Sequence, residues 1–195
     1  MTPTPAPSPA LSDITGLILC GGAGSRLGGM DKGLASFHGK ALVDIAIDKL
    51  RPHVGSLVIS VNRNFEDYQR RGHRVCRDRN VNEDAPHYDG PLAGILAGLL
   101  EVQTRWVMVV PCDCPLFPAD LADRLIAEVA HHQKGVYVAG HPSFSLLPCV
   151  QRHHLETFLQ HGKRKLGQWL DEVGATPIAI GPESAFKNLN RPEDF

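Results

Sequence analysis

Short apolar runs alternate along the chain with longer segments of helical periodicity. Four runs are continuous and apolar enough for buried parallel strands, at residues 17–20, 57–61, 106–110 and 176–180. Between and after them, apolar positions recur with the period of a helix at residues 41–50, 92–101, 119–130 and 153–160. This alternation predicts an α/β fold, a three-layer α/β/α sandwich around a mainly parallel sheet.

Two parts of the chain depart from this pattern. Residues 137–138 and 145–150 are apolar runs separated by Gly140-His141-Pro142, which predicts an antiparallel excursion at one edge of the sheet. Residues 1–13 contain four prolines and neither a basic nor a long apolar segment, so we expect a disordered tail there. Residues 14–195 then form a single domain.

Composition narrows the classes of partner. The net charge of −1 provides no broad positive field for nucleic acid or an anionic membrane, and no apolar run reaches the roughly 20 residues of a membrane span. The five cysteines are odd in number and no secretory signal is present, so we expect reduced thiols and a cytoplasmic location. Any anionic ligand must therefore be bound locally.

The segment at residues 17–32, LILCGGAGSRLGGMDK, carries the clearest chemical signal. An apolar strand leads into a glycine-rich bend that contains Arg26 and ends at Lys32, so backbone N–H groups and two cations can surround a polyphosphate. It is not a Walker A loop, because Asp31 rather than a glycine precedes the lysine, nor a dinucleotide fingerprint, because Leu27 occupies the third glycine position. An idle glycine-rich turn is the alternative. The glycines are Gly21, Gly22, Gly24, Gly28 and Gly29.

Asp113 is the best candidate for a metal ligand. It lies just past the run at 106–110, between Pro111 and Pro115. A carboxylate there suits Mg²⁺, which takes one or two protein carboxylates together with phosphate oxygens. The alternative is that Asp113 caps the next helix, although Asp120 is also available for that role.

The cysteines beside Asp113 raise the question of a zinc site. Cys112 and Cys114 flank Asp113, and Cys20 lies in the glycine-rich segment. Structural zinc usually needs four ligands with at least two residues between paired cysteines. Buried, apolar thiols are the favoured interpretation.

Four weaker signals lie elsewhere. Gly90 opens a helix whose glycines permit close approach of a base, and Asp78 stands at a strand end, where it can accept from a nucleobase or a sugar, or pair with a neighbouring arginine. Asn188 and Asn190 present two amides on one face of an extended segment, unless they form an Asx turn before a proline. The basic residues 163–165 form a solvated turn or a second anion site.

Together these segments resemble the MobA family of molybdenum cofactor guanylyltransferases. Six ordered motifs carry the resemblance, and they extend over the whole chain after the tail. They are LCGGAGSRLGGMDKGL at 19–34, Val-Asn-Arg at 61–63, Asp78, GPLAG at 90–94, PCDCP at 111–115 and NLNRPED at 188–194.

The resemblance implies a Rossmann-like nucleotidyltransferase core and a role for each matching residue. Leu19, Cys20 and Gly21 would contact the nucleotide through their backbone. Lys32 would bind its phosphates, and Asp113 would hold Mg²⁺. Asn188 and Asn190 would serve the catalytic or acceptor region, together with Arg26. The implied nucleotide contacts are Leu19, Cys20, Gly21, Gly22, Lys32, Ser60, Asp78, Gly90 and Asp113. The chain departs from the family pattern at Cys20, where alanine is usual, at Ser60, where relatives can carry asparagine, and at Cys114.

The reaction that the resemblance implies is transfer of GMP from GTP to the terminal phosphate of Mo-molybdopterin, giving the guanine dinucleotide cofactor and pyrophosphate. The attacking phosphate is already ionised at neutral pH, so orientation and charge neutralisation by Mg²⁺, Arg26, Lys32 and loop amides should suffice. Transient contact with molybdoenzymes or molybdopterin-synthesis proteins is a further expectation. A CTP-dependent cytidylyltransferase and a non-catalytic carrier of nucleotide or molybdopterin are the alternatives.

Overall fold

A computed structural model describes residues 7–21, 31–77 and 90–195. The strands are β1 (Ile14–Leu19), β2 (Ser36–Phe37), β3 (Lys40–Ala41), β4 (Ser56–Ser60), β5 (Arg74–Cys76), β6 (Trp106–Pro111), β7 (Val136–Val138), β8 (His141–Pro148) and β9 (Thr176–Ile178). The α-helices are α1 (Leu42–Leu50), α2 (Phe65–Gln69), α3 (Pro91–Glu101), α4 (Leu121–Val129), α5 (Arg152–Gln160) and α6 (Leu166–Val173).

The main sheet has seven strands in the order β5-β4-β1-β6-β8-β7-β9. Strand β1 pairs in parallel with β4 on one side and β6 on the other, and all six of its residues are buried. Such burial on both faces is what helices covering both sides of a parallel sheet require. The prediction of a mainly parallel sheet is therefore confirmed.

The side chains of the sheet divide between two cores. On one face Ile18 and Met108 belong to a cluster that includes most of the apolar residues of α1 together with those of α4. On the other face Leu17 and Val107 pack in a cluster with α3, α5 and α6. Gly98 lets α3 approach β1 closely, since a Cβ there would lie 2.4 Å from a methyl group of Leu17. The three-layer sandwich follows from this alternation of side chains along each strand.

The predicted antiparallel excursion exists, but its predicted position at one edge was wrong. Strand β8 is antiparallel to both of its neighbours and lies inside the sheet, between β6 and β7. Its residues 144–148 are all buried, which suits an internal strand covered on both faces. Strand β9 forms the edge instead, and its residues are half-buried or exposed. The prediction that residues 176–180 form a buried strand was therefore wrong.

Several short elements were not predicted from the periodicity. They include the five-residue helix α2, the helix α6 and the β2–β3 hairpin. Leu11–Asp13, within the predicted tail, forms a 3-10 turn, whereas residues 1–6 lie outside the described part of the chain. Within the described ranges, none of the helices has the length and apolar character needed to cross a membrane.

Candidate functional site

The carboxyl ends of β1, β4 and β6 meet at one edge of the sheet, and backbone hydrogen bonds extend the ladder one residue further. The Cys20 N–H donates to the carbonyl oxygen of Ser60 at 2.8 Å, and the Cys112 N–H donates to that of Leu19 at 3.1 Å. Ser60 is fully buried, and the hydrogen bond to its carbonyl oxygen fixes Cys20, where the glycine-rich segment begins. In open parallel sheets ligands bind at this edge.

Lys32 and Asp113 meet at this edge although 81 residues separate them. The Nζ atom of Lys32 lies 3.3 Å from Oδ2 of Asp113 and also donates to Oδ1 of Asn190. The Lys32 and Asp113 side chains are 20% and 19% exposed, so both charges are sheltered but open to a ligand. The ion pair places a cation and a carboxylate at the carboxyl end of β6.

The C-terminal segment brings both predicted asparagines to Asp113 and Lys32. The Nδ2 atom of Asn188 donates to Oδ2 of Asp113 at 3.3 Å, and the Leu189 N–H donates to the Asp113 carbonyl oxygen at 2.8 Å. Leu189 itself is buried in a small cluster with Phe37 and Leu42. The alternation of the Asn-Leu-Asn sequence thus turns both amides toward the site and anchors the leucine behind them.

Asp194 closes this C-terminal segment and was missed by the sequence analysis. Its carboxylate accepts from Lys187 Nζ at 2.9 Å and from the backbone N–H groups of Asn190 and Arg191 at 2.9 and 3.0 Å. The hydrogen bond from Lys187, followed by those from the backbone, lowers the pKa of Asp194 to about 2. The Asn-x-Asn-Arg-Pro-Glu-Asp spacing carries the signal for such a turn.

Asp31 is a second site residue whose role the sequence analysis missed. Its carboxylate is buried and accepts from the hydroxyl of Tyr68 at 2.6 Å, from Asn64 Nδ2 at 3.0 Å and from the Gly33 N–H at 3.1 Å. The Nε atom of Arg63 lies 3.8 Å away. Burial is the main cause that raises the pKa of Tyr68, so its hydroxyl remains a donor. Helix α2, too short to give a periodic signal, supplies Tyr68.

Cys112 and Cys114 are buried thiols, as favoured from the sequence, whereas Cys20 is half-buried. Cys112 and Cys114 are 4% and 2% exposed, and Cys114 Sγ donates to Oδ1 of Asn188 at 3.1 Å. A hydrogen bond with Cys20, followed by burial, raises the pKa of Cys112, and burial is the main cause that raises the pKa of Cys114. Among the described residues, no group of three or more histidine, cysteine or acidic side chains is placed to hold a metal ion.

Asp113 nevertheless fits a cation that arrives with a phosphate ligand. Its Oδ2 atom faces Lys32 and Asn188, whereas Oδ1 lies 3.6 Å from Cys114 Sγ, which is a weak donor. Mg²⁺ is commonly held by one or two carboxylates, with phosphate oxygens and water completing the octahedron. A single available carboxylate is thus sufficient for a metal shared with a nucleotide.

Helix α3 begins at the same edge of the sheet. Its last residue, Glu101, accepts from Arg74 at the start of β5, so the helix runs from the carboxyl edge toward the opposite edge. Gly90 precedes it with φ of 72°, a conformation that favours glycine, and Pro91 occupies the first turn. The positive end of an eleven-residue helix therefore points toward the carboxyl edge.

The structure brings Leu19, Cys20, Gly21, Lys32, Ser60, Gly90, Asp113, Asn188 and Asn190 to one edge of the sheet. Three other residues predicted to be at the site, Gly22, Arg26 and Asp78, lie outside the described residues. The basic residues 163–165 form the turn between α5 and α6, where Lys163 pairs with Glu172 at 2.9 Å.

Comparison with known proteins shows the family to which the chain belongs. Residues 16–176 match the model of the MobA-like NTP transferase domain. A molybdenum cofactor guanylyltransferase of Serratia proteamaculans is 42% identical over 191 residues, which cover 93% of this chain and 92% of that protein. Another, of Polynucleobacter asymbioticus, is 38% identical over 192 residues and 94% of each chain.

Solved structures share the fold at low sequence identity. Molybdopterin-guanine dinucleotide biosynthesis protein A of Archaeoglobus fulgidus has a TM-score of 0.72 at 20% identity and covers 92% of this chain and 94% of its own. The 4-diphosphocytidyl-2C-methyl-D-erythritol synthase of Anaerococcus prevotii has a TM-score of 0.72 at 12% identity, over 94% of this chain and 92% of its own. These structures confirm the predicted Rossmann-like fold, and the match to the MobA-like NTP transferase domain identifies it as a nucleotidyltransferase core.

Proposed function

The chain belongs to the MobA-like NTP transferase family and is a nucleotidyltransferase, and on this premise we propose that it transfers GMP from GTP to Mo-molybdopterin. The products are molybdopterin guanine dinucleotide and pyrophosphate. The observation that carries the proposal is the convergence of Lys32, Asp113 and Asn190 at the carboxyl edge of the sheet. The Polynucleobacter asymbioticus and Serratia proteamaculans relatives, which match over more than 90% of the chain, are named for this activity.

The proposed reaction needs positioning rather than proton removal. An oxygen of the terminal molybdopterin phosphate attacks the α-phosphorus of GTP, the new P–O bond forms, and the bond to the β-phosphate oxygen breaks. The electron pair of that bond leaves on pyrophosphate. Because the attacking phosphate is ionised at neutral pH, no general base is required, and alignment with electrostatic stabilisation supplies the acceleration.

Lys32 and Asp113 provide the charges for this reaction. The Lys32 ammonium group would bind phosphate oxygens of GTP, and this role is supported by its two oxygen acceptors in the structure, Asp113 and Asn190. Asp113 would hold Mg²⁺, which supplies charge neutralisation to the phosphates when it is bound. Pairing Lys32 with Asp113 before the substrates arrive keeps both charges compensated in a sheltered site.

The neutral groups of the site would orient the two substrates. Asn188 and Asn190 can contact phosphate oxygens without adding negative charge beside an anionic acceptor. The positive end of α3 at Gly90 favours an anion at the same edge. Nucleotide contacts by residues 19–22, Ser60 and Asp78 stay predictions from the family pattern, and charge neutralisation by Arg26 stays a prediction from the sequence.

A pyrophosphate-release assay tests the proposal directly. Purified protein is mixed with Mo-molybdopterin, Mg²⁺ and either GTP or CTP, and the dinucleotide product is identified by mass spectrometry. We expect stoichiometric pyrophosphate and guanine dinucleotide with GTP. Preference for CTP would identify a cytidylyltransferase, and binding of GTP without release of pyrophosphate would identify a carrier; either result contradicts the proposal.

We further propose a cytoplasmic location, which the five free cysteines support. Transient contact with molybdopterin-synthesis proteins or with molybdoenzymes would deliver the acceptor and remove the product. Fractionation of cells that express the protein at native levels, together with a thiol-accessibility assay, tests the location.

A further inference from the structure

Asp31 immediately precedes Lys32, yet its carboxylate points away from the Lys32–Asp113 pair toward the segment after β4. Its three hydrogen-bond donors are Gly33, Asn64 and Tyr68. We propose that Asn64 and Tyr68 are positioning residues that hold the Lys32 backbone through Asp31, so that the Lys32 ammonium group meets the phosphates of GTP. This inference rests on the proposed function and deepens it.

The hydrogen bonds of Asp31 fix the chain on both sides of Lys32. One carboxylate oxygen, Oδ1, accepts both the Tyr68 hydroxyl at 2.6 Å and the Gly33 N–H at 3.1 Å. Asp31 is thereby the N-cap of the 3-10 turn Lys32–Leu34. The carboxylate of the residue before Lys32 thus binds both the residue after Lys32 and Tyr68, which leaves the lysine backbone little freedom. Only its side chain remains to be ordered by the phosphates.

Close packing confirms that Tyr68 lies directly against this turn. A Cβ atom at Gly33 would lie 2.2 Å from the Tyr68 hydroxyl oxygen and 3.2 Å from Cβ of Cys20. Tyr68 is fully buried, so its hydroxyl has no access to solvent as an alternative partner. The turn that carries Lys32 is therefore held between α2 and the end of β1.

Asn64, which precedes helix α2, contributes a second side-chain donor to Asp31. Its Nδ2 atom donates to the other carboxylate oxygen, Oδ2, at 3.0 Å, and Arg63 Nε lies 3.8 Å from the same oxygen. Both oxygens of Asp31 are thus engaged by protein groups. A carboxylate in this state is not available to a metal, and its contribution must pass through the backbone that it holds.

A double-mutant cycle distinguishes positioning of Lys32 from a general structural role. The dissociation constant of GTP with Mg²⁺ is measured for wild type, Tyr68→Phe, Lys32→Ala and the double variant. We expect Tyr68→Phe to weaken GTP binding about fivefold to tenfold, less than the full effect of losing one hydrogen bond to a charged group, because Tyr68 acts on GTP only through Lys32. If Tyr68 acts through Lys32, the double variant binds GTP as Lys32→Ala does.

Asn64→Gly supplies a second test that does not depend on the stability of the Tyr68 variant. Asn64 is exposed and has φ of 51°, so glycine retains the backbone conformation while the amide donor is removed. We expect an effect of about twofold to fivefold on GTP binding, again absent in the Lys32→Ala background. Tyr137→Phe, on strand β7, is the matched control and should bind GTP as the wild type does.

The outcomes separate this inference from the proposed function. Additive losses in both cycles, or unchanged GTP affinity in Tyr68→Phe and Asn64→Gly, would overturn the positioning role while leaving the proposed activity intact. Failure of the wild-type protein to bind GTP with Mg²⁺ would overturn the proposed function itself. If Tyr68→Phe does not fold, the Asn64→Gly cycle decides.

Discussion

Asp31 precedes Lys32 in the sequence and Asp113 contacts its ammonium group, and the two aspartates differ in how many of their oxygen lone pairs are already used by protein donors. The Asp31 side chain is 6% exposed, and both of its oxygens accept hydrogen bonds from protein donors. The Asp113 side chain is 19% exposed, and its Oδ1 atom faces only a weak thiol donor among the contacts described. Exposure and unused lone pairs, rather than residue type, separate a structural carboxylate from one that can bind a ligand.

Replacing Asp113 by asparagine should produce the largest loss of activity. The change keeps the size of the side chain but removes the charge that would hold Mg²⁺, so we expect turnover to fall by about 10²- to 10³-fold. Pyrophosphate release over a range of Mg²⁺ concentrations measures the effect. Wild-type turnover in Asp113→Asn would remove Asp113 from the proposed metal site.

The matching change at Asp31 should lower stability, and it should also weaken GTP binding because Asp31 holds the turn that carries Lys32. An asparagine there must present its NH₂ group to at least one of the donors that now point at the carboxylate, which leaves buried polar groups unsatisfied. We expect Asp31→Asn to lower the free energy of unfolding by about 1–3 kcal/mol, measured by urea denaturation. The comparison would fail if Asp113→Asn were the more destabilising of the two.

The loop that carries Asp113 has its own support, provided by Lys49 on α1. Lys49 Nζ donates to the carbonyl oxygens of Pro115 and Phe117 at 2.7 and 2.6 Å and lies 4.4 Å from the centre of the Phe117 ring. Burial lowers the pKa of Lys49. We expect Lys49→Met to lower the free energy of unfolding by about 1–2 kcal/mol.

The same Lys49 variant shows whether this support matters for Asp113. Displacement of the loop should raise the Mg²⁺ concentration needed for half-maximal turnover, whereas Lys49→Arg, which keeps a donor, should restore part of the wild-type value. An unchanged Mg²⁺ requirement in Lys49→Met would show that the loop keeps its position without this contact.

Asp194 should give the smallest effect, one that depends on pH. Its pKa is lowered in the folded protein from 3.8 to about 2, so its contribution to stability is present above pH 4 and is lost as the pH falls toward 2. Asp194→Asn should therefore have a lower melting temperature than wild type at pH 6, and the difference should shrink in acid. A difference that is constant between pH 6 and pH 3 would contradict this account.

Much of the fold could be predicted from local patterns because they reflect burial directly. The continuous apolar runs of β1, β4 and β6 identify strands covered on both faces, and the change to helical period identifies α1, α3, α4 and α5. The order of strands could not be read in this way. Strand β8 reached the interior of the sheet and β9 its edge through pairing between distant segments, which local periodicity does not record.

The sequence by itself determined which chemical groups this protein carries beside its strand ends: the glycine-rich segment with Lys32, Asp113 between two prolines, and the Asn188-Leu189-Asn190 alternation. Only the tertiary structure decided what each group has as partners. Tyr68 reaches Asp31 from 37 residues away, and Asn190 reaches Lys32 from 158 residues away. The availability of a carboxylate depends on donors and exposure within a few ångströms, and folding brings those together from segments that are remote in sequence.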